Sequence, residues 1–416
     1  MLASLVACQG STVSVPETVS LEGEQTWYGV IGPLVTSRCA VCHHPGDIAP
    51  FSLENIDEVK VQLSAMRAAV ADGIMPPFPP DQSEASGCPK IDDVRQMSDA
   101  ERAALLAWID AGAPEGTPRT LPPVKPNKPL GDPAYRWPMS EPYTPTVAAG
   151  DEYRCFLVRT NNVVDLPVAA VSAEPGQRSI VHHAAVFLIP PDQIQTANDL
   201  DNASPGPGYD CFGGIGFAQA YPAGVWVPGN DAPLVPPSSN VGYYLPPGWA
   251  WVLQVHYNVT GHPPPDTTSV VLWLGDPIIT EVPHAIIAGN VDFALPPSSQ
   301  MTVVGEAAVT DTSTPETFNS GWAGRVYAVW GHEHLLGKSV QLDVVKADGS
   351  EQCLLHIPRW DFHWQSVYRL KNFVSVSPGD HIRVRCSYEN TTDRMVTYGE
   401  GTADEMCFAS VAALDP

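Results

Sequence analysis

Positive charge is scarce in this chain. Its 416 residues carry 22 lysines and arginines against 46 aspartates and glutamates, a formal charge of -24. That balance argues against a nucleic-acid partner, because gripping a phosphate backbone takes basic patches. No run approaches the roughly 18 apolar residues of a membrane-crossing helix. No four cysteines stand at zinc-ribbon spacing, and the close Cys-His-Met ligand cluster of a blue-copper site is missing. No short-period repeat is evident.

Proline, by contrast, is abundant, at 43 residues. It favours turns and extended segments over long helices. The hydrophobic share of 44% is ample for sizeable cores, and the length suits about two or three domains. Nine cysteines are scattered widely, as in disulfide-bonded proteins of oxidising compartments. At the N-terminus, Leu5-Val6-Ala7-Cys8 looks like a bacterial lipobox, although a positive n-region is missing. The plainer reading is a chance cysteine in a polar tail. The expectation is an exported protein of the periplasm or cell envelope. Residues 1–23 would be a signal remnant and tether, with Cys8 as a lipid anchor.

Residues 24–117 read as helical. Ser98 and Glu101 have capping-box spacing. Leu105, Leu106, Trp108 and Ile109 follow as an apolar helical face, and Gly112 supplies a stop. Val59–Ala71 is a second helix candidate. Residues 118–149 are too proline-rich for a helix or a central strand and read as a linker. Beyond them, short apolar runs punctuated by Gly, Pro, Asn and Asp dominate. About 270 residues of this kind exceed one sandwich. The fold class expected is therefore multidomain: an α-helical domain, then two antiparallel β-sandwich domains over 150–283 and 284–416.

Cys39-Ala40-Val41-Cys42-His43 is a C-x-x-C-H motif. Two thiols at this spacing can form thioethers to haem vinyl groups, and the next histidine can ligate the iron. A zinc half-site, a redox dithiol and chance are the other readings. A sixth ligand should be a methionine on a loop. Met75, ahead of Pro76-Pro77-Phe78-Pro79-Pro80, suits that role, with Met66 and Met97 as alternatives. The motif, the Met-Pro-Pro loop and the capped helix with Trp108 resemble class I cytochrome c domains. The resemblance implies one covalently bound haem c held by Cys39, Cys42, His43 and Met75. Trp108 reads as core packing.

Five histidines and a methionine stand out in the remainder. His182 and His183 are adjacent in an apolar strand, where neighbours face opposite ways unless the strand is bulged. His256 sits in an alternating strand and alone reads as a core residue. His332 and His334 are two apart and share a strand face, which allows chelation. Met406 alone reads as core filler. A set of three imidazoles and a set of two with a thioether suit a metal cycling between Cu(II) and Cu(I).

Val-His-His, Leu-Gln-Val-His-Tyr, His-x-His-x-x-Gly-Lys and Asp-Glu-Met-Cys, in this order, resemble the copper type II ascorbate-dependent monooxygenases. The resemblance spans roughly residues 150–416. It implies two β-sandwiches carrying two copper ions. His182, His183 and His256 would hold an electron-transfer copper; His332, His334 and Met406 would hold the copper that binds O2. It also implies disulfides Cys386–Cys407 and Cys155–Cys211. Cys88 and Cys353 are left over, and whether they pair stays open. Two positions depart from the peptide-hydroxylating members: Trp330 replaces a substrate-binding arginine and Ser410 a substrate-binding tyrosine. The expected activity is O2-dependent hydroxylation of an unknown organic substrate. An external electron donor would feed the haem. The alternative is a non-catalytic haem and copper electron carrier.

Overall fold

The N-terminal helices begin where capping side chains stand. They are α1 (Gly32–Arg38), α2 (Ile56–Ala71) and α3 (Asp99–Asp110). Asn55 accepts from the amides of Asp57 and Glu58 at 3.1 and 3.0 Å, and the Glu58 carboxylate accepts from the Asn55 amide. This reciprocal cap starts α2 one turn before Val59. Ser98 and Glu101 make the same box ahead of α3. Gly112 then turns the chain with φ +84°, as a helix stop requires. The helices close over Trp27, Leu34, Val35, Val59, Leu105 and Trp108. Trp108 is core, 6.1 Å from the ring of Trp27. A buried Arg38–Glu101 ion pair at 2.9 Å ties α1 to α3. The short strand β1 (Ile91–Asp92) lies between α2 and α3.

This is a computed structural model, and it describes residues 19–45, 49–92, 97–121, 130–212, 214–217, 219–227, 233–310, 320–362 and 364–416. Cys8 and most of the expected tether lie outside the described residues, as does His363.

The first sandwich contains β2 (Tyr135–Pro138), β3 (Ala149–Arg159), β4 (Leu166–Glu174), β5 (Val181–Ile189), β6 (Tyr209–Asp210), β7 (Tyr221–Trp226), β8 (Tyr243–Leu245), β9 (Ala250–Thr260) and β10 (Ser269–Leu274). Among the described residues they form two sheets, β2-β10-β4-β8 and β6-β3-β9-β5-β7. Phe156, Val168, Val186, Leu253 and Leu272 fill the space between them. One helix, α4 (Ile194–Ala203), packs on β3 and β6. The segment expected as linker over 118–149 joins this sandwich in its second half. Strand β2 sits at a sheet edge, where Pro138 costs no ladder bond. Trp137, Met139 and Tyr143 are buried in the core. Proline density excluded helix but concealed an edge strand.

The second sandwich contains β11 (His284–Asn290), β12 (Ala294–Leu295), β13 (Ser299–Thr310), β14 (Ser320–Trp322), β15 (Gly324–His332), β16 (Gly337–Val345), β17 (Glu351–Ile357), β18 (Tyr368–Val376), β19 (His381–Asn390), β20 (Val396–Thr397) and β21 (Cys407–Leu414). Its sheets are β14-β13-β19-β16-β17 and β1-β18-β15-β21-β11. All pairs within them are antiparallel except β13–β14. The edge strand β1 comes from the helical unit, so that unit is built onto the second sandwich. Three disulfides occur among the described residues: Cys155–Cys211, Cys386–Cys407 and Cys88–Cys353. The two leftover cysteines thus pair, across 265 residues. Among the described residues, no helix is long and apolar enough to cross a membrane.

Candidate metal centres

The problem of two adjacent strand histidines is solved by a bulge. In the β5–β9 ladder Val181 pairs with Tyr257, but His183 pairs with His256. Two steps on β5 therefore match one step on β9, and His182 is the extra residue. A bulge of this kind lets consecutive side chains share a side. The donor atoms of His182, His183 and His256 all lie within 4.8 Å of one another.

The facing atoms are the Nδ1 nitrogens. His183 Nδ1 is 3.4 Å from His182 Nδ1 and 3.3 Å from His256 Nδ1. Nitrogens bound to one ion at about 2.0 Å stand about 3.3–3.5 Å apart in tetrahedral or trigonal geometry. The spacing therefore fits a metal at their centre. Burial, followed by the neighbouring His256 and His182, holds His183 in its neutral form, well below the usual imidazole range; neutral imidazole is the form that ligates.

Asp151 at the start of β3 orients this set. It accepts from His256 Nε2 at 2.9 Å and from Asn258 Nδ2 at 2.8 Å. Placing the His256 proton on Nε2 leaves Nδ1 its lone pair. Burial acts to raise the Asp151 carboxyl, but hydrogen bonds from His256, Asn258 and Thr402 outweigh it and hold the group well below the usual carboxylate range. The ring of Tyr153 stacks on His256 at 4.1 Å.

The second set forms at the end of β15. His332 and His334 have ring centroids 5.0 Å apart. His332 donates from Nδ1 to Gln365 Oε1 at 2.6 Å, and His334 from Nδ1 to the Asp404 carbonyl at 3.1 Å. Both tautomers are thereby set with Nε2 as the ligating nitrogen. Burial, then the neighbouring His334, pushes the His332 imidazole down to about 3. The β15–β21 ladder ends with His332 opposite Phe408, two residues after Met406. The Glu405 carboxylate accepts from the amides of His334 and Leu336 at 2.8 and 2.6 Å. It clamps the Met406 segment to the His-x-His turn. Trp330 stacks on His332 at 5.1 Å, and Ser410 pairs with Trp330. Both departures from the peptide-hydroxylating pattern thus stand beside this set.

The sets face each other across Phe362. Its ring stacks on His182 at 4.8 Å and meets His334 edge-on at 5.5 Å. Thr402, four residues before Met406, donates its amide to Asp151 at 3.2 Å, and Tyr153 donates its hydroxyl to the Glu400 carbonyl at 2.9 Å. Residues of one set are therefore braced by the loop of the other.

Part of the sequence is similar to known proteins. Residues 285–412 match the family model of the copper type II ascorbate-dependent monooxygenase, C-terminal domain. A stretch of 204 residues is 23% identical to MOXD1 homolog 1 of Drosophila melanogaster, covering 46% of this chain and 28% of that protein. A stretch of 86 residues is 35% identical to DBH-like monooxygenase protein 1 of Mus musculus, and one of 84 residues is 34% identical to dopamine beta-hydroxylase of Bos taurus. Each covers 20% of this chain and 14% of that relative. The chain thus spans less than a third of the length of these curated relatives. Copper is the metal this match implies for the second sandwich. The three-histidine set lies before residues 285–412, which the family model matches.

In the helical unit, Cys39 and Cys42 stay as thiols, outside the disulfides. The His43 amide donates to the Cys39 carbonyl at 2.9 Å, so the motif closes into one turn. His43 Nδ1 is 3.2 Å from the Phe51 carbonyl, which assigns that nitrogen the proton and leaves Nε2 to ligate. Met66 and Met97 are buried among the helices, while Met75 is half-buried in its proline loop. Two thiols and an imidazole in one turn are the donor types that a covalently held haem would use.

Asp151 was not legible as a site residue. Glu405 carried a signal in its place next to Met406, and Phe362 and Gln365 in the aromatic-dense segment 357–365, whose sequence could line a cleft or dock the helical unit although packing is its plainer reading.

Proposed function

We propose that this protein is a copper-dependent monooxygenase that hydroxylates a C–H bond of a small organic substrate, with electrons entering through a c-type haem. The overall balance is substrate C–H plus O2, two electrons and two protons, giving substrate C–OH and water. The observation that carries this reading is the meeting of two unlike ligand sets. One is all imidazole, and the other has two imidazoles beside a thioether position. Bound copper supplies the redox chemistry and O2 activation, with a thioether favouring Cu(I).

The residues divide the remaining work. His182, His183 and His256 would hold one ion through Nδ1, with Asp151 steering His256. His332 and His334 would hold the other through Nε2, joined by Met406. Gln365 and the Asp404 carbonyl keep both rings turned toward the metal. Phe362 and Trp330 limit water around the second set. Cys39, Cys42, His43 and Met75 would hold the haem. The match of residues 285–412 to a monooxygenase domain supports the reaction class. Trp330 and Ser410 argue against a peptide carboxylate as the group recognised. Three disulfides support a position outside the cytoplasm, and lipidation at Cys8 is proposed with it.

The test is O2 uptake that depends on a reductant and an organic substrate, with product gaining one oxygen by mass. Met406→Ala should abolish product while leaving the haem spectrum intact. Rapid haem reduction with no substrate-coupled O2 uptake would show an electron carrier instead.

A further inference from the structure

The helical unit is locked to the second sandwich by four kinds of contact. The Cys88–Cys353 disulfide joins them covalently, with Cα atoms 4.7 Å apart. Strand β1 extends a sheet, Ile91 opposite Leu370 and Asp92 opposite Arg369, and Ile91 is buried in the sandwich core. Phe78, in the Met75 loop, meets Tyr368 edge-on at 6.2 Å. Arg359 donates to the Asp72 and Gly73 carbonyls at 3.0 and 2.8 Å. A merely tethered domain needs none of these.

The last contact leads directly to a metal set. Gly73 is two residues from Met75. Arg359 is followed by Trp360, which is buried. Trp360 donates its indole N–H to the His334 carbonyl at 3.1 Å, and its ring lies 6.5 Å from that of His332. A continuous chain of covalent and hydrogen bonds therefore runs Gly73, Arg359, Trp360, His334.

We infer that Arg359 and Trp360 couple the Met75 loop to the His332–His334 pair, so that electrons reach this centre before the three-histidine set. The inference rests on the proposed function. In the step one electron leaves ferrous haem and reduces one cupric ion; no bond forms or breaks. An external one-electron reductant restores the ferrous haem. Arg359 and Trp360 act as positioning residues.

The experiment uses the haem- and copper-loaded protein with both metals oxidised. A light-driven one-electron pulse reduces the haem, and the haem absorption and the Cu(II) resonance signal are followed together. Haem reoxidation should persist in His183→Ala and vanish in His332→Ala. Trp360→Leu should slow it by about tenfold, equivalent to about 1.4 kcal/mol of barrier. Trp360→Phe should restore most of the rate by keeping the ring, and Arg359→Met should slow it without altering the haem spectrum. Magnetic broadening of the Cu(II) signal by the low-spin ferric haem should be strongest for the His332–His334 copper. Reoxidation that needs His183 and ignores His332, or that proceeds unchanged in Trp360→Leu and Arg359→Met, overturns the inference alone. A chain that takes up no haem or no copper overturns the proposed function, and the inference with it.

Discussion

Replacing Asp151 with asparagine tests whether one carboxylate sets the three-histidine centre. The change keeps the shape but removes the charge that accepts from His256 Nε2 at 2.9 Å. A hydrogen bond to a charged group contributes about 1.5–3 kcal/mol. Loss of a carboxylate behind a ligating imidazole weakens metal binding by about 10–100-fold, which is about 1.4–2.7 kcal/mol. The two ranges agree. Asparagine also brings an amide N–H near donors from Asn258 and Thr402, so the effect should lie toward the larger value. Copper affinity would be measured by chelator competition in a His334→Ala background, where only the three-histidine set reports. The same substitution in a His183→Ala background should change the second centre's affinity far less, because Asp151 reaches that centre only through the Thr402 amide. Undiminished affinity in the first background, or a loss confined to the second, would refute the reasoning. Because the Asp151 carboxyl is held below its usual range, its contribution should be present at neutral pH and fade only in strong acid.

Other consequences concern the second sandwich and its attachment. A methyl group at Gly337 would lie 2.1 Å from Glu333 Oε2 and 2.7 Å from Trp360; Gly337→Ala should cost about 1–3 kcal/mol of stability and weaken copper at His332 and His334, as titration would show. Burial raises the Glu405 carboxyl from 4.5 to about 7, and burial, then the neighbouring Glu405, raises Glu333 as well. A raised acid means the folded state binds more protons than the unfolded one, so stability is fullest below pH 4.5 and declines toward pH 7 for this group. Denaturation of the metal-free protein should show that decline, and Glu333→Gln should reduce it; a flat profile would contradict the burial of the pair. Changing Cys88 and Cys353 together to serine opens a loop of 265 residues and should cost about 2–5 kcal/mol, read as earlier unfolding of the helical unit and faster proteolysis between it and the sandwiches.

Much of the architecture was legible because local physics carried it. Ser98 and Glu101 announce a helix start through two backbone amides that need partners. Alternating apolar residues announce strands, since one face must be buried. The C-x-x-C-H motif is compact in sequence, as its thiols and imidazole occupy one turn. Tyr135–Pro138 escaped because its strand is fixed by pairing with β10, a partner more than a hundred residues away.

What the sequence determined by itself is therefore the inventory: which imidazoles, thiols and thioethers exist, and which segments could hold them. The spacing of His332 and His334 even fixed their common face. Tertiary structure alone decided how the inventory is used. A register shift beside His182 turns two opposed histidines into one donor set. The pairing of β15 with β21 and the hydrogen bonds of Glu405 bring the segment that carries Met406 to the His-x-His turn, and Asp151, Gln365 and the Asp404 carbonyl choose which ring nitrogens are left to ligate. The Cys88–Cys353 bond and the β1–β18 pair hold the helical unit against Arg359 and Tyr368. Each of these depends on contacts between residues distant in sequence, whose energies no local pattern encodes.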